Sequence, residues 1–275
     1  MKILLRTAIL IIALLSFFAH ASASEERRFT IINASNGLTD NSAQCVVCTK
    51  TGRMIIATQG NLNFYDGTGF SHADIHRDQL YQLPAYRGGY RLYFDDLHHL
   101  WLKNTHNVAC LDLLQEAFIQ NVDSVLSALE CPLPILDLFI DSDNKIWTLT
   151  DTGLFSLERR KTYNVLRDRN LQDLTTIGNQ LLLFYDNGET ATLDLETGNM
   201  KRCTKPYKWD KAQKYANTSM LLAHGDGLFQ LRNGEGEAIL LYYDLKTGAW
   251  TTLLETTFHM NQLAIRDEKL YIAAD

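Results

Sequence analysis

The sequence predicts an all-β chain assembled from repeated four-stranded units, and three observations predict it. A 46-residue repeat runs through the first half of the chain, marked by aligned Trp residues. Short β-like runs alternate with polar turns along most of the length. Sustained helical periodicity is almost absent, and only four Pro residues occur, with no Pro/Ser/Gly-rich linker to divide the chain.

The N-terminal residues read as an export signal. Lys2 and Arg6 give a positive start, Ala8 to Ala19 form an apolar stretch broken only by Ser16, and Ala21-Ser22-Ala23 offers the small residues of a cleavage site. Residues 1–23 are therefore expected to be a signal peptide and residues 24–275 a single exported domain. The apolar core of about a dozen residues is short for a spanning helix, which wants roughly 20; an uncleaved anchor is the alternative. No later apolar run reaches membrane-spanning length.

Composition narrows the function classes. The chain is 46% hydrophobic and 21% charged, with a net charge of -6. It is long enough to bury a sizeable core, and its mild acidity argues against nucleic acid, whose phosphates call for a concentrated basic face. The five Cys residues (Cys45, Cys48, Cys110, Cys131 and Cys203) are odd in number, which leaves at least one thiol unpaired in an exported protein. Cys45 and Cys48 form a lone CxxC, but they sit in a strand-like run, where residues three apart face opposite sides. Plain buried thiols are the expectation.

The repeat aligns Arg53 to Thr58 with His99 to Asn104 and Lys145 to Thr150. At later offsets it aligns Leu62, Val108 and Leu154, then Asp66, Asp112 and Glu158. Asp95-Asp96 and Asp141-Ser142-Asp143 mark the turns before the second and third copies. Gln180 to Phe184 heads a looser fourth copy. Asp194-Leu195-Glu196-Thr197-Gly198 recurs as Asp244-Leu245-Lys246-Thr247-Gly248, a hairpin turn whose Gly suits positive φ. Asp267 to Ile272 matches Asp143 to Thr148. Asp112 to Leu129 has room for a helical turn or two in a connection. A period of roughly 40–50 residues built from short strands and turns is the signature of propeller blades. The predicted fold is thus a β-propeller of four-stranded blades, incomplete, with about five blades and the start of a sixth. Because the chain stops inside a blade, it is expected to be a piece of something longer.

Phe29-Thr30-Ile31-Ile32, followed by Asn36-Gly37-Leu38-Thr39-Asp40-Asn41-Ser42, resembles the opening of the periplasmic sensors of hybrid two-component systems. In that family such an opening precedes repeats of the form D..G.lWigT..GLn.yDG..F. Thr51 to Phe70 is similar to it, with Ile55 in place of Trp and Asn61-Leu62 in place of Gly-Leu. The resemblance covers nearly the whole mature chain and is strong through Leu157. It implies two consecutive propellers, a small β-sandwich, a membrane helix, a histidine kinase and a receiver with a DNA-binding module. It also implies a source among gut Bacteroidetes and, for many members, a response to oligosaccharides. Kinase and phosphorelay activity would reside in C-terminal parts absent here, and the parent protein would sit in the inner membrane. The partners implied are an oligosaccharide ligand, the remainder of the same polypeptide (second propeller, membrane helix, kinase) and a homodimer mate. No nucleic-acid contact by this segment is expected.

No motif in the chain points to catalysis, a cofactor or a metal. His72, Asp74 and His76 share one face of a strand, but a solvated outer edge accounts for them. His98-His99 lie where the other copies carry turn residues. Asp141-Ser142-Asp143-Asn144 begins like a calcium loop, yet lacks the central Gly, and Thr152 stands where a Glu is needed. No GxSxG and no phosphate loop occurs. The chain is accordingly expected not to be an enzyme. Strand order does place Asp40, Asn41, Gln59, Asn104, His106, Asp151 and Asn187 at one end of the blades. There they either meet the hydroxyls of a sugar or cap turns. The loop Gln79 to Tyr90 carries Tyr81, Tyr86, Arg87 and Tyr90, rings and a guanidinium suited to stacking on and bonding to a sugar. Asn41, Gln59, Tyr81, Tyr86, Arg87, Asn104, His106, Asp151 and Asn187 are the candidate ligand-binding residues. Two competing readings are a secreted propeller enzyme acting on polysaccharide (lyase or glycosidase) and a protein-interaction propeller without a small ligand.

Overall fold

Short apolar runs separated by polar turns have one way to satisfy their backbone, by folding back on the preceding run, and this chain does so repeatedly. A computed structural model describes residues 30–59, 61–84, 91–104, 106–203 and 218–274. The predicted export signal, residues 1–23, lies outside them. Asn33–Asp275 form one structural unit.

The first blade comprises β1 (Cys45–Cys48), β2 (Met54–Ala57), β3 (Asn61–Tyr65) and β4 (Phe70–Asp74), hydrogen-bonded in that order. The second has β6 (Arg91–Phe94), β7 (His99–Lys103) and β8 (Asn107–Asp112). Its outer position is shared by two short strands, β5 (Tyr81–Gln82) and β9 (Ala117–Phe118), which pair with different parts of β8. A two-turn helix, α1 (Val122–Ala128), follows, capped by the side chain of Asn121. The third blade is β10 (Asp137–Ile140), β11 (Ile146–Leu149), β12 (Leu154–Ser156) and β13 (Lys161–Tyr163). The fourth is β14 (Leu171–Ile177), β15 (Gln180–Tyr185), β16 (Thr190–Asp194) and β17 (Met200–Cys203). The fifth is β18 (Thr218–His224), β19 (Gly227–Asn233), β20 (Ala238–Asp244) and β21 (Ala249–Thr256). A two-stranded sheet, β22 (Met260–Arg266) and β23 (Lys269–Ala274), opens a sixth.

Alternation along each strand sends successive side chains to opposite neighbours, so the core forms as layers between blades. In β7, Leu100 and Leu102 pack with Ile55 and Phe64 of the first blade, whereas Trp101 packs with Leu138 and Phe155 of the third. Phe139, Trp147, Leu174 and Leu183 fill the next layer, and Leu231, Leu240, Met260 and Leu263 the last. Each fully buried side chain of this kind contributes about 1.5–3 kcal/mol.

The repeat also carries a polar device that the spacing alone did not expose. Asp95 Oδ1 accepts the N–H groups of Leu97 and His99 at 2.8 and 2.9 Å, while its Oδ2 accepts Trp101 Nε1 at 2.8 Å. Asp141 repeats this with Asp143, Lys145 and Trp147, at 2.9, 2.9 and 2.8 Å. In the first copy, Thr49 and Ile55 stand at the two matched positions, and Thr49 Oγ1 still accepts the Arg53 N–H. The Asp141 turn is thus occupied by the protein's own donors, Thr176 Oγ1 among them.

Asp194 and Asp244 fix their hairpins identically. Each Oδ1 accepts the next two available N–H groups, from Glu196 and Thr197 or from Lys246 and Thr247. Gly198 and Gly248 close the turns at φ 76° and 69°. Asp66 and Asp112 do the same work in the first two blades, but Glu158 does not; there Ser156 Oγ accepts the Arg159 N–H.

Two expectations about single residues change. His99 is not a turn residue: it begins β7 and bonds Asp95 Oδ2 through Nδ1 at 2.9 Å, whereas His98 takes the turn with φ 68°. The CxxC pair is not a pair of buried thiols: Cys48 is exposed and Cys45 only half-buried, whereas Cys110 and Cys131 are buried. The reason is that β1 is an inner strand of four residues whose last position already reaches the hairpin.

Candidate functional site

Inner strands β1, β6, β10, β14, β18 and β22 surround an axial cavity of about 320 Å³, with residues of all six on its wall. The circuit is joined by Gln262 of β22, whose Oε1 accepts the Val46 N–H of β1 at 3.0 Å and whose Nε2 donates to Val46 O. Exposed Ser142 and exposed Asn261 lie on the wall, so the cavity reaches solvent.

At one end of this cavity the repeat concentrates charge. Cys45, Arg91 and Asp137 occupy the same register position of three successive inner strands, opposite Ala57, Lys103 and Leu149. A register shift between Leu171 and Asp173 adjusts the fourth, and Asp173 lines the cavity with Arg91 and Cys45. Lys103 is 1% exposed; its Nζ donates to Asp137 Oδ1 at 2.6 Å and to Leu138 O at 2.7 Å, and it lies over the Phe139 ring. Burial pulls the Lys103 pKa down and pushes that of Asp137 up, and each charge partly restores the other. Burial likewise pushes Asp173 up to about 6, against the positive charge of Arg91, the Leu174 N–H, Lys103 and the Leu221 N–H of β18. Arg232, 1% exposed, donates to Tyr185 O and Asp186 O of the preceding blade. Asn233 exchanges two hydrogen bonds with the Met260 backbone of the next. The result is a belt of polar side chains linking neighbouring blades around the axis.

The residues singled out from sequence flank this end. The loops after the second strands close at Thr58–Asn61, Asn104–Asn107 and Thr150–Gly153, beside the starts of the inner strands. Gln59, His106 and Asp151 are exposed there. Asn104 Oδ1 accepts the Asn107 N–H at 3.1 Å, and buried Asn187 holds Glu189 through both its amide atoms. Exposed Asn41 accepts the Ala34 N–H. Half-buried Tyr81 is elsewhere: its hydroxyl accepts the Ile135 N–H at 2.9 Å, bracing β5 against the run into β10. Tyr86 and Arg87 lie outside the described residues. His72 Nδ1 bonds Asn63 Oδ1 at 3.0 Å, and among the described residues no three His, Cys, Asp or Glu side chains converge as a metal site would need. Among the described residues, too, no helix is long and apolar enough to cross a membrane.

Arg91, Lys103, Asp137 and Asp173 were not singled out from the sequence. The signal was available in the 46-residue spacing of Cys45, Arg91 and Asp137, once the repeat is extended to its innermost strand.

Solved structures share this arrangement. The extracellular domain of one hybrid two-component system from B. thetaiotaomicron superposes with a TM-score of 0.58 at 16% identity, covering 89% of this chain and 34% of that one. A second from the same organism gives 0.53 at 15% identity, covering 92% and 36%. The shared architecture is the β-propeller. This chain spans about a third of the length of those two domains. YCF48 bound to a D1 peptide is also similar, with a TM-score of 0.51 at 11% identity, 90% of this chain and 78% of that one. No family model matches the sequence. No curated protein matches it either.

Proposed function

We propose that this chain is the ligand-sensing propeller segment of an exported hybrid two-component signalling protein, working in the periplasm and responding to an oligosaccharide. The observation that carries the reading is the likeness to two extracellular domains of such systems. The opening motif and the blade repeats support it independently. Histidine kinase activity, a membrane helix and a second propeller would belong to other parts of the same polypeptide, and a homodimer would couple binding to them. No bond need be made or broken. Ligand binding stabilises one arrangement of the propeller over another by its difference in affinity for the two. Gln59, His106 and Asp151, exposed at the charged end, are the first groups an oligosaccharide would meet.

The test is thermal unfolding of the purified chain against a panel of oligosaccharides released from complex glycans. A concentration-dependent rise in Tm with one family of glycans, with the glycan recovered intact, supports sensing. Cleavage of the glycan would mark an enzyme instead. Co-purification of a protein partner without any sugar response would mark an interaction propeller.

A further inference from the structure

The axial cavity names a ligand class by its size and its wall. At about 320 Å³ it lies at the lower end of the range in which proteins enclose small organic ligands. One hexose ring with its hydroxyls fits such a volume. On the wall Arg91 stands against Asp173, Lys103 pairs with Asp137 behind it, and the wall's other carboxylate, Asp141, is taken up by Trp147 and Thr176. A balanced site of this kind favours a neutral ligand over an anion or a cation. On the wall, Arg91 is a fixed fork of donors and Asp173 an acceptor, the two complements of a hydroxyl, which both donates and accepts. Leu92, Leu174 and Leu221 supply apolar surface for the C–H face of a ring.

We propose that the axial cavity binds a single neutral sugar ring, the terminal unit of a larger glycan or a free hexose, between Arg91 and Asp173. This rests on the sensing reading and adds to it the place and size of the unit recognised. Exposed Asn261, near the start of β22 and so at the charged end, marks where the ring enters from solvent. A longer glycan would leave its remaining units outside, against the exposed residues of the end it entered by.

The cavity carries its own reporter. Cys45 lines the wall, while Cys48, three residues on and on the opposite face of β1, is exposed. The experiment measures the alkylation rate of each thiol in the intact chain by mass spectrometry, at mildly alkaline pH. The probes are D-glucose, D-galactose, D-mannose and N-acetylglucosamine, with matched trisaccharides. One of these sugars at about ten times its Kd should slow Cys45 about tenfold and leave Cys48 unchanged, by mass action. Asp173→Asn, which keeps the side chain's shape, should raise the sugar concentration needed for half-protection roughly tenfold, the loss expected for one hydrogen bond to a charged group.

Equal slowing of both thiols, no slowing of Cys45 by any sugar, or full protection retained in Asp173→Asn would overturn the assignment. Burial raises the Cys45 thiol's pKa, so the pH is stepped upward; a Cys45 that stays unreactive at every pH short of unfolding would overturn it too, because a cavity that admits a sugar admits a smaller reagent. A trisaccharide that raises Tm without touching the Cys45 rate sinks the axial site and leaves sensing standing. Absence of any sugar response in both assays sinks both.

Discussion

Replacing Lys103 by Met would test the polar belt where its geometry is tightest. Met keeps the length of the side chain and its packing against Phe139 but removes the ammonium, and with it the 2.6 Å bond to Asp137 and the 2.7 Å bond to Leu138 O. Asp137, 6% exposed, is then a buried carboxyl whose remaining hydrogen bond is the Leu138 N–H at 2.7 Å. Breaking a buried pair from one side typically costs about 3–5 kcal/mol, because the stranded charge keeps its desolvation penalty. Removing both charges, in Lys103→Met with Asp137→Asn, lifts that penalty and should return to within about 1–2 kcal/mol of the parent chain. The double variant should therefore recover about 2–3 kcal/mol relative to Lys103→Met alone. Urea unfolding followed by tryptophan fluorescence reads it directly, since Trp101 and Trp147 are buried in the two blades that the pair joins. A single variant costing less than about 1 kcal/mol, or a double variant whose cost equals the sum of the singles, would refute the reasoning.

Asp173→Asn should change how stability depends on pH. The carboxyl is raised in the folded chain from 3.8 to about 6. Its contribution is therefore fully present below the unfolded value and lost as pH rises through about 6, a relative loss of roughly 3 kcal/mol at about 1.4 kcal/mol per unit. The variant should gain on the parent by that order between pH 4 and pH 7 in urea titrations, and a gap flat with pH contradicts it. Trp147→Phe strands Asp141 Oδ2 of its indole donor and leaves part of a packed ring site empty. Its expected cost is about 2–4 kcal/mol, and thermal unfolding unchanged within error would count against the Asp–Trp device. Gly153→Ala places a methyl 2.4 Å from Tyr163 O at φ 149°, whereas Gly52→Ala at φ 85° meets nothing within 4 Å. The first should cost clearly more than the ~1–2 kcal/mol of positive φ alone, and equal losses at the two sites would be the wrong result.

Much of the fold was legible because the blade repeat writes itself into local chemistry. Asp95 with Trp101, Asp141 with Trp147, and the two Asp-x-x-Thr-Gly turns each need particular residues at fixed offsets, so the period survives in the letters. The shared outer edge of the second blade left no such mark. There β5 and β9 are two residues each, too short for alternation to register. The charged end of the axis was hidden for a different reason. Lys103 and Asp137 lie 34 residues apart and belong to different blades, and Asp173 reaches the cavity wall only through a register shift. The 46-residue spacing of Cys45, Arg91 and Asp137 marks the shared position, but which side chains meet there depends on how neighbouring blades pack. The residues chosen instead sat in polar loops. Of these, Asn104 and Asn187 engage backbone in their own turns and Asn41 that of Ala34, while Gln59, His106 and Asp151 face solvent. Loop composition signals both roles alike.

Hydrogen–deuterium exchange with and without a stabilising oligosaccharide tests the central claim that the axial end of this propeller receives the signal. Binding should slow exchange at the inner-strand amides around Arg91, Asp137 and Asp173 and leave the outer strand β21 unchanged. Protection confined to outer strands, or no protection at any amide despite a rise in Tm, would contradict it.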